Sequence, residues 1–66
     1  MKKEYYTEID VKIITETKIA LLVNDGDVED WVPKSLIKDF DWESDYIGEH
    51  TSIIIPEKVA IEKGFV

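Results

Sequence analysis

Between Asp39 and Tyr46 the chain alternates strictly, with Asp39, Asp41, Glu43 and Asp45 at odd positions and Phe40, Trp42, Ser44 and Tyr46 at even ones. Successive side chains on a β-strand point to opposite faces, so a strand here would carry carboxylates on one side and rings on the other. Carboxylates at alternate strand positions recur every ~6.7 Å, a spacing of the same order as phosphates along a nucleic-acid backbone. Such a row suits a basic groove on another protein, reached through complementary charge and steered association. It does not suit metal or acid–base catalysis, because parallel carboxylates do not converge on one point. The same alternation also describes the solvated face of an amphipathic strand, whose like charges are screened by water. On the binding reading, the expected contact set is Asp39, Asp41, Glu43, Asp45 and Trp42, supported upstream by Asp27 and Glu29.

Other residues offer less. Asn24-Asp25-Gly26-Asp27 with Glu29 and Asp30 has calcium-binding residue types but lacks the twelve-residue EF-hand spacing and its closing Glu. It reads as a plain turn. His50 is the sole histidine, and a hydrolase triad would have to recruit distant Ser35 or Ser52 and a carboxylate, so a solvated loop histidine is the simpler expectation. No catalytic residue, metal site or cofactor follows from these spacings. Lys34 and Ser35 could offer a cation and a hydroxyl to phosphate, yet no Gly-rich loop precedes them to supply a nest of N–H groups. Lys34 also serves to keep a sheet edge from pairing. Trp31 and Trp42 with Lys34 form the contact set for the alternative, an accessory module of nucleic-acid metabolism that stacks bases on rings. Against this, a small core needs large side chains, so Trp31 and Phe40 are expected inside it. Trp42 fits either role.

Composition narrows the partners. Of the 15 acidic and 8 basic residues that give a net charge of −7, nine acids and only two bases, Lys34 and Lys38, fall between residues 24 and 49. An isoelectric point near 4.5 opposes the basic footprint by which most nucleic-acid binders neutralise phosphates, and favours a basic protein surface as partner. With 66 residues the chain makes one small domain, 1–66, which buries about 60% of the surface its unfolded form exposes. Without cysteine, stability rests on the apolar core and on any self-association. The absence of cysteine also fits a reducing compartment. The basic start Met1-Lys2-Lys3 is followed by no apolar segment, and the longest apolar run, Ile19–Val23, is five residues against the ~20 of a bilayer span. A cytoplasmic location with no membrane contact is expected.

The elements that must position these residues are mostly strands. Thr7 to Ile13 alternates polar and apolar, a half-buried strand with Ile9, Val11 and Ile13 inward and Tyr5 in line to extend that face. At Ile14-Thr15-Glu16-Thr17 the alternation slips, which calls for a turn or bulge. Lys18 to Val23 is continuously apolar after its first residue, as in a central strand covered on both sides. Asn24-Asp25-Gly26-Asp27 then turns it into a hairpin returning through Val28 to Val32, with Pro33 ending the strand or marking an edge. Ser35 is placed to cap a single helical turn over Leu36-Ile37-Lys38, with a continued bent strand as the alternative, and Gly48 breaks the acidic strand. Thr51 to Ile55 forms another strand. Pro56 opens and Gly64 closes a short C-terminal helix, after which Phe65 and Val66 fold back on the core. The expected architecture is mainly β, a small five-stranded SH3-like or OB-like barrel with one short C-terminal helix. Self-pairing along Tyr5 to Ile13 would give a homodimer.

An apolar strand, an acidic Gly turn, Trp31-Val32-Pro33-Lys34-Ser35, then Pro56-Glu57, Ala60 and Glu62-Lys63-Gly64 together resemble a family of small uncharacterised bacteriophage proteins. That family's signature is an aromatic and an aliphatic residue before Pro-Lys-Ser, with a terminal Pro-Glu-Trp-Leu-Ala segment ending in Lys-Gly. The likeness spans roughly residues 17 to 66 and departs at Lys58 and Val59, where family members often carry Trp-Leu. It implies a phage origin and the host-cell cytoplasm, and it brings no activity. The functional expectation is therefore a non-enzymatic acidic phage protein that binds a basic host or phage surface, as a nucleic-acid mimic or anti-defence inhibitor.

Overall fold

The computed structural model describes residues 4–66; the basic start at Met1-Lys2-Lys3 lies outside them. Four strands, β1 (Tyr6–Glu16), β2 (Ala20–Asn24), β3 (Glu29–Pro33) and β4 (His50–Pro56), form one antiparallel sheet in the order β3-β2-β1-β4, and helix α1 (Glu57–Lys63) follows. Period-two alternation sends Ile9, Val11 and Ile13 of β1 to one face, where they meet Leu21, Val23, Val32, Ile53 and Ile55. Ile37, Ala60 and Phe65 close this core, and Val28, Phe40, Tyr46 and Val59 pack on its margin.

The slip after Ile13 is a bulge: Ile13 pairs with Val23 and Thr15 with Leu22, leaving Ile14 unpaired. The hairpin after β2 turns on Gly26 at φ +108°, with the Asp25 carboxylate accepting the N–H groups of Asp27 and Val28. Those two donors hold the Asp25 carboxyl below its ordinary range, Val28 first. At the other end Gly64, at φ +81°, stops α1, and the Phe65 N–H returns to the Ala60 carbonyl at 2.9 Å, which drops the Phe65 ring into the core. Val66 stays outside, 63% exposed.

Several expectations need correction. β2 is central in strand order but covered on one face only, so Leu22 is half-buried and Ile19, ahead of the strand, is 75% exposed. The turn after β3 is a 3-10 helix over Lys34–Leu36 with Pro33 at its start, so Ser35 lies inside it and caps nothing. Trp31 lies outside the core, because Val32 and Asp30 take the inward positions of β3 and Trp31 falls between them, paired with Leu22 on the outer face. Nor do the described residues form a fifth strand or a closed barrel. Lys38 makes a single bridge to Ile54 on the outer side of β4, and Asp39 then takes φ +52°, a left-handed conformation that ends extended structure. The Asp39–Tyr46 segment turns instead: the Glu43 N–H goes to the Asp41 carboxylate at 3.1 Å, and the Ser44 N–H and hydroxyl go to the Asp41 carbonyl at 3.2 and 2.7 Å. Four like charges on one strand face repel, and Asp disfavours strands, so the loop relieves both costs.

Candidate interaction surface

With no strand at Asp39–Tyr46, the evenly spaced row of carboxylates does not exist, and with it goes the geometric basis for a phosphate-like repeat. What replaces it is a loop over 39–49 organised by its rings. Phe40 contacts Trp42 at 4.5 Å between centroids and Tyr46 at 5.0 Å, and Trp42 meets Tyr46 edge-on at 5.8 Å. Phe40 and Tyr46 are half-buried against the core, whereas Trp42 is 39% exposed. The return of the loop is pinned to the end of β1. The Gly48 N–H donates to the Ile13 carbonyl at 2.6 Å and the Ile13 N–H to the Glu49 carbonyl at 3.0 Å, with Gly48 at φ +83° to make the corner.

A side-chain network anchors the same loop. Glu16 Oε1 accepts the Tyr46 hydroxyl at 2.5 Å and lies 2.7 Å from Lys34 Nζ, which itself stands 5.7 Å from the Trp42 ring centre. The Lys34 ammonium, and after it the Tyr46 hydroxyl, hold the Glu16 carboxyl below its ordinary 4.5. The bond to Glu16 pushes the Tyr46 phenol above its ordinary 10.0. Because the folded-state pKa of Glu16 is depressed, its contribution is present above pH 4.5 and lost as pH falls through the lower folded value. Because that of Tyr46 is raised, its contribution is present below pH 10.0 and lost as pH rises through the higher folded value. Urea unfolding midpoints should therefore fall at both ends of the pH range, and Tyr46→Phe should flatten the alkaline limb. Superimposable alkaline limbs for wild type and Tyr46→Phe would contradict the Tyr46–Glu16 bond.

Three of the four alternating carboxylates, Asp39, Asp41 and Asp45, line one groove of about 390 Å³ with Glu49, against His50–Ser52 of β4. Glu43 is exposed but does not line it. Glu49, absent from the expected contact set, joins the groove, and its place beside Gly48 in an acidic stretch is the local signal for it. Asp27 and Glu29 are not brought to the loop: they sit on the β2–β3 hairpin, where Glu29 accepts the Asn24 amide at 3.2 Å. Asp25 and Asp10 instead line a second groove, of about 740 Å³, which shares His50–Ser52 with the first. Acidic side chains thus flank the start of β4 on both sides.

Of the residues expected to hold nucleic acid, Lys34 and Trp42 come together, but Glu16 takes the Lys34 charge and Trp31 lies on the outer sheet face. Ser52 Oγ donates to Asp10 Oδ1 at 2.8 Å, and no hydrogen bond among the described residues links it to His50. No group of three or more His, Cys, Asp or Glu among the described residues is arranged around a metal position. No described helix is long and apolar enough to cross a membrane. No family model, curated protein or solved structure matches this chain.

Proposed function

We propose that this protein is a non-enzymatic interaction module that binds a basic surface of a host or phage protein through its 39–49 loop. The observation that carries the reading is the acid-lined groove of Asp39, Asp41, Asp45 and Glu49, held in shape by three packed rings, one of which, Trp42, is 39% exposed. A pinned loop loses less conformational freedom on binding than a free acidic tail, so more of its charge complementarity goes into affinity. Trp42 stands outside the groove lining with the Lys34 ammonium 5.7 Å from its ring centre, and its exposed part offers apolar contact to the stem of an incoming Lys or Arg. The phage origin and host-cytoplasm setting belong to this proposal and rest on the Trp31–Ser35 signature.

The test compares two variants of equal charge. Asp41→Lys, Glu43→Lys and Asp45→Lys together change the net charge from −7 to −1, and so do Glu4→Lys, Glu57→Lys and Glu62→Lys, three reversals away from the loop. In low-salt anisotropy titrations with a labelled oligolysine, the loop variant should lose binding and the distant variant should retain most of it. Equal losses would reduce the interaction to net charge. Saturable binding of single-stranded DNA by the wild-type protein would overturn the proposal in favour of a nucleic-acid module.

A further inference from the structure

Alternate peptide groups of an antiparallel strand point to opposite neighbours, so it matters which residues of β1 face β4. The Glu57 N–H donates to the Tyr5 carbonyl at 2.9 Å, and Ile13 uses both its N–H and its carbonyl toward Glu49 and Gly48, so the odd residues of β1 face β4. The partner strand agrees: the Ile54 carbonyl, opposite Glu8, accepts from Lys38 on the far side of β4. Tyr6, Glu8 and Asp10 must therefore aim their N–H and carbonyl groups the other way, toward the β2 side. There β2 has already ended, since its last pair is Asn24 with Lys12. Among the described residues no loop, turn or side-chain hydrogen bond reaches the peptide groups of Tyr6, Glu8 or Asp10, and all three residues are exposed. β1 is thus an inner strand whose first half has one open side.

We propose that this open side of β1, from Tyr6 to Asp10, takes up an extended basic segment of a partner protein as an added strand. The unpaired peptide groups provide the hydrogen bonds of β-augmentation, and the side chains beside them set the chemistry of the guest. Glu8 and Asp10 stand on the outer face along this side, and Asp25 and Asn24 close its end in the 740 Å³ groove. Side chains directly opposite on neighbouring strands lie ~4.5–5.5 Å apart, so Lys or Arg at alternate guest positions is matched to them. A second copy is matched poorly. Antiparallel self-pairing along the whole open stretch centres on Glu8 and sets that carboxylate against its own copy. Of the two edge strands, β3 is blunted by different means, its Trp31 N–H taken by the Asp30 carboxylate at 2.7 Å and Pro33 having no N–H to give, while on β4 the Ile54 carbonyl is taken by the Lys38 N–H at 2.8 Å.

The proposal goes beyond the loop reading and does not depend on it. Amide hydrogen exchange by NMR on the full chain reads it residue by residue. In the dilute free protein Thr7, Ile9 and Val11 should exchange slowly and Tyr6, Glu8 and Asp10 fast. Acetylated Lys-Val-Lys-Val-Lys amide, added at ten times its Kd, should slow Tyr6, Glu8 and Asp10 by about tenfold. Glu8→Lys with Asp10→Lys should abolish that protection and transfer it to the Glu-Val-Glu-Val-Glu counterpart. The loop variant carrying Asp41→Lys, Glu43→Lys and Asp45→Lys should keep it, so failure here and failure of the loop reading are told apart. Slow exchange at Tyr6, Glu8 and Asp10 in the dilute free protein would overturn the proposal, as would equal protection by both peptides. Protection that rises with protein concentration alone would assign the side to a second copy instead.

Discussion

Ile13→Ala should destabilise the protein by roughly 2–5 kcal/mol, while the adjacent Ile14→Ala should change stability by less than about 0.5 kcal/mol. The two residues have the same side chain and are neighbours in one strand, so propensity and composition cannot separate them. Position does. Ile13 is fully buried opposite Val23, where truncation leaves a cavity, whereas Ile14 is the unpaired bulge residue and 36% exposed. A chain of 66 residues has a total stability of only about 3–10 kcal/mol, so loss of the Ile13 side chain removes a large share of it. At about 4–8 °C per kcal/mol for a domain this small, the midpoint should fall by at least ~8 °C. Ile13 also holds the loop through backbone bonds to Gly48 and Glu49, which the alanine variant retains, so the measured loss belongs to packing. Urea titrations of both variants check the prediction. Similar losses for the two would mean that Ile14 is packed as Ile13 is and that the pairing register runs through it without a bulge.

How much of this was legible depended on whether the signal was local. The inward set Ile9, Val11 and Ile13, the slip at Ile14, the Asp25-Gly26 hairpin and the Pro56-to-Gly64 helix are each encoded within a few residues by periodicity or turn chemistry. For Trp31, side-chain size points inward and strand parity outward, and parity prevails. Val28 and Val32 share one parity and Trp31 the other, and the two valines set the inward face of the hairpin arm.

The acidic segment departs from its alternating pattern for a different reason. Strict alternation is necessary for an amphipathic strand but is also met by a loop whose alternate residues happen to be rings that find each other. Phe40, Trp42 and Tyr46 are spaced to alternate on a strand, yet they pack together at 4.5–5.8 Å, a closer association than a flat strand allows residues two, four and six apart. The contrary signals were present in Asp-rich composition, in an Asp41 placed three before Ser44, and in Gly48. The Glu16–Tyr46 bond joins residues 30 apart and the Glu16–Lys34 pair is also non-local, so neither is open to a reading that moves along the chain. The unpaired side of β1 was likewise invisible, because it depends on where β2 stops relative to β4.

Phe40→Ala should cost about 1–3 kcal/mol, as it deletes two of the three ring contacts, each worth roughly 0.5–1.5 kcal/mol beyond area burial. Its greater use is to separate shape from charge. The substitution leaves the net charge at −7 and every carboxylate in place, but removes the ring on which Trp42 and Tyr46 both lean. In a Trp31→Phe background, where Trp42 is the single tryptophan, its selectively excited fluorescence should shift to the red as the loop opens, even at temperatures where the sheet stays folded. If the groove binds by arrangement, oligolysine affinity should fall together with that shift, because Asp39, Asp45 and Glu49 no longer converge. Phe40→Leu keeps apolar volume without the ring geometry and should lie between the two. Unchanged affinity in Phe40→Ala, with the emission shift observed, would mean that the loop attracts partners as a diffuse negative charge and that its folded form serves the core alone.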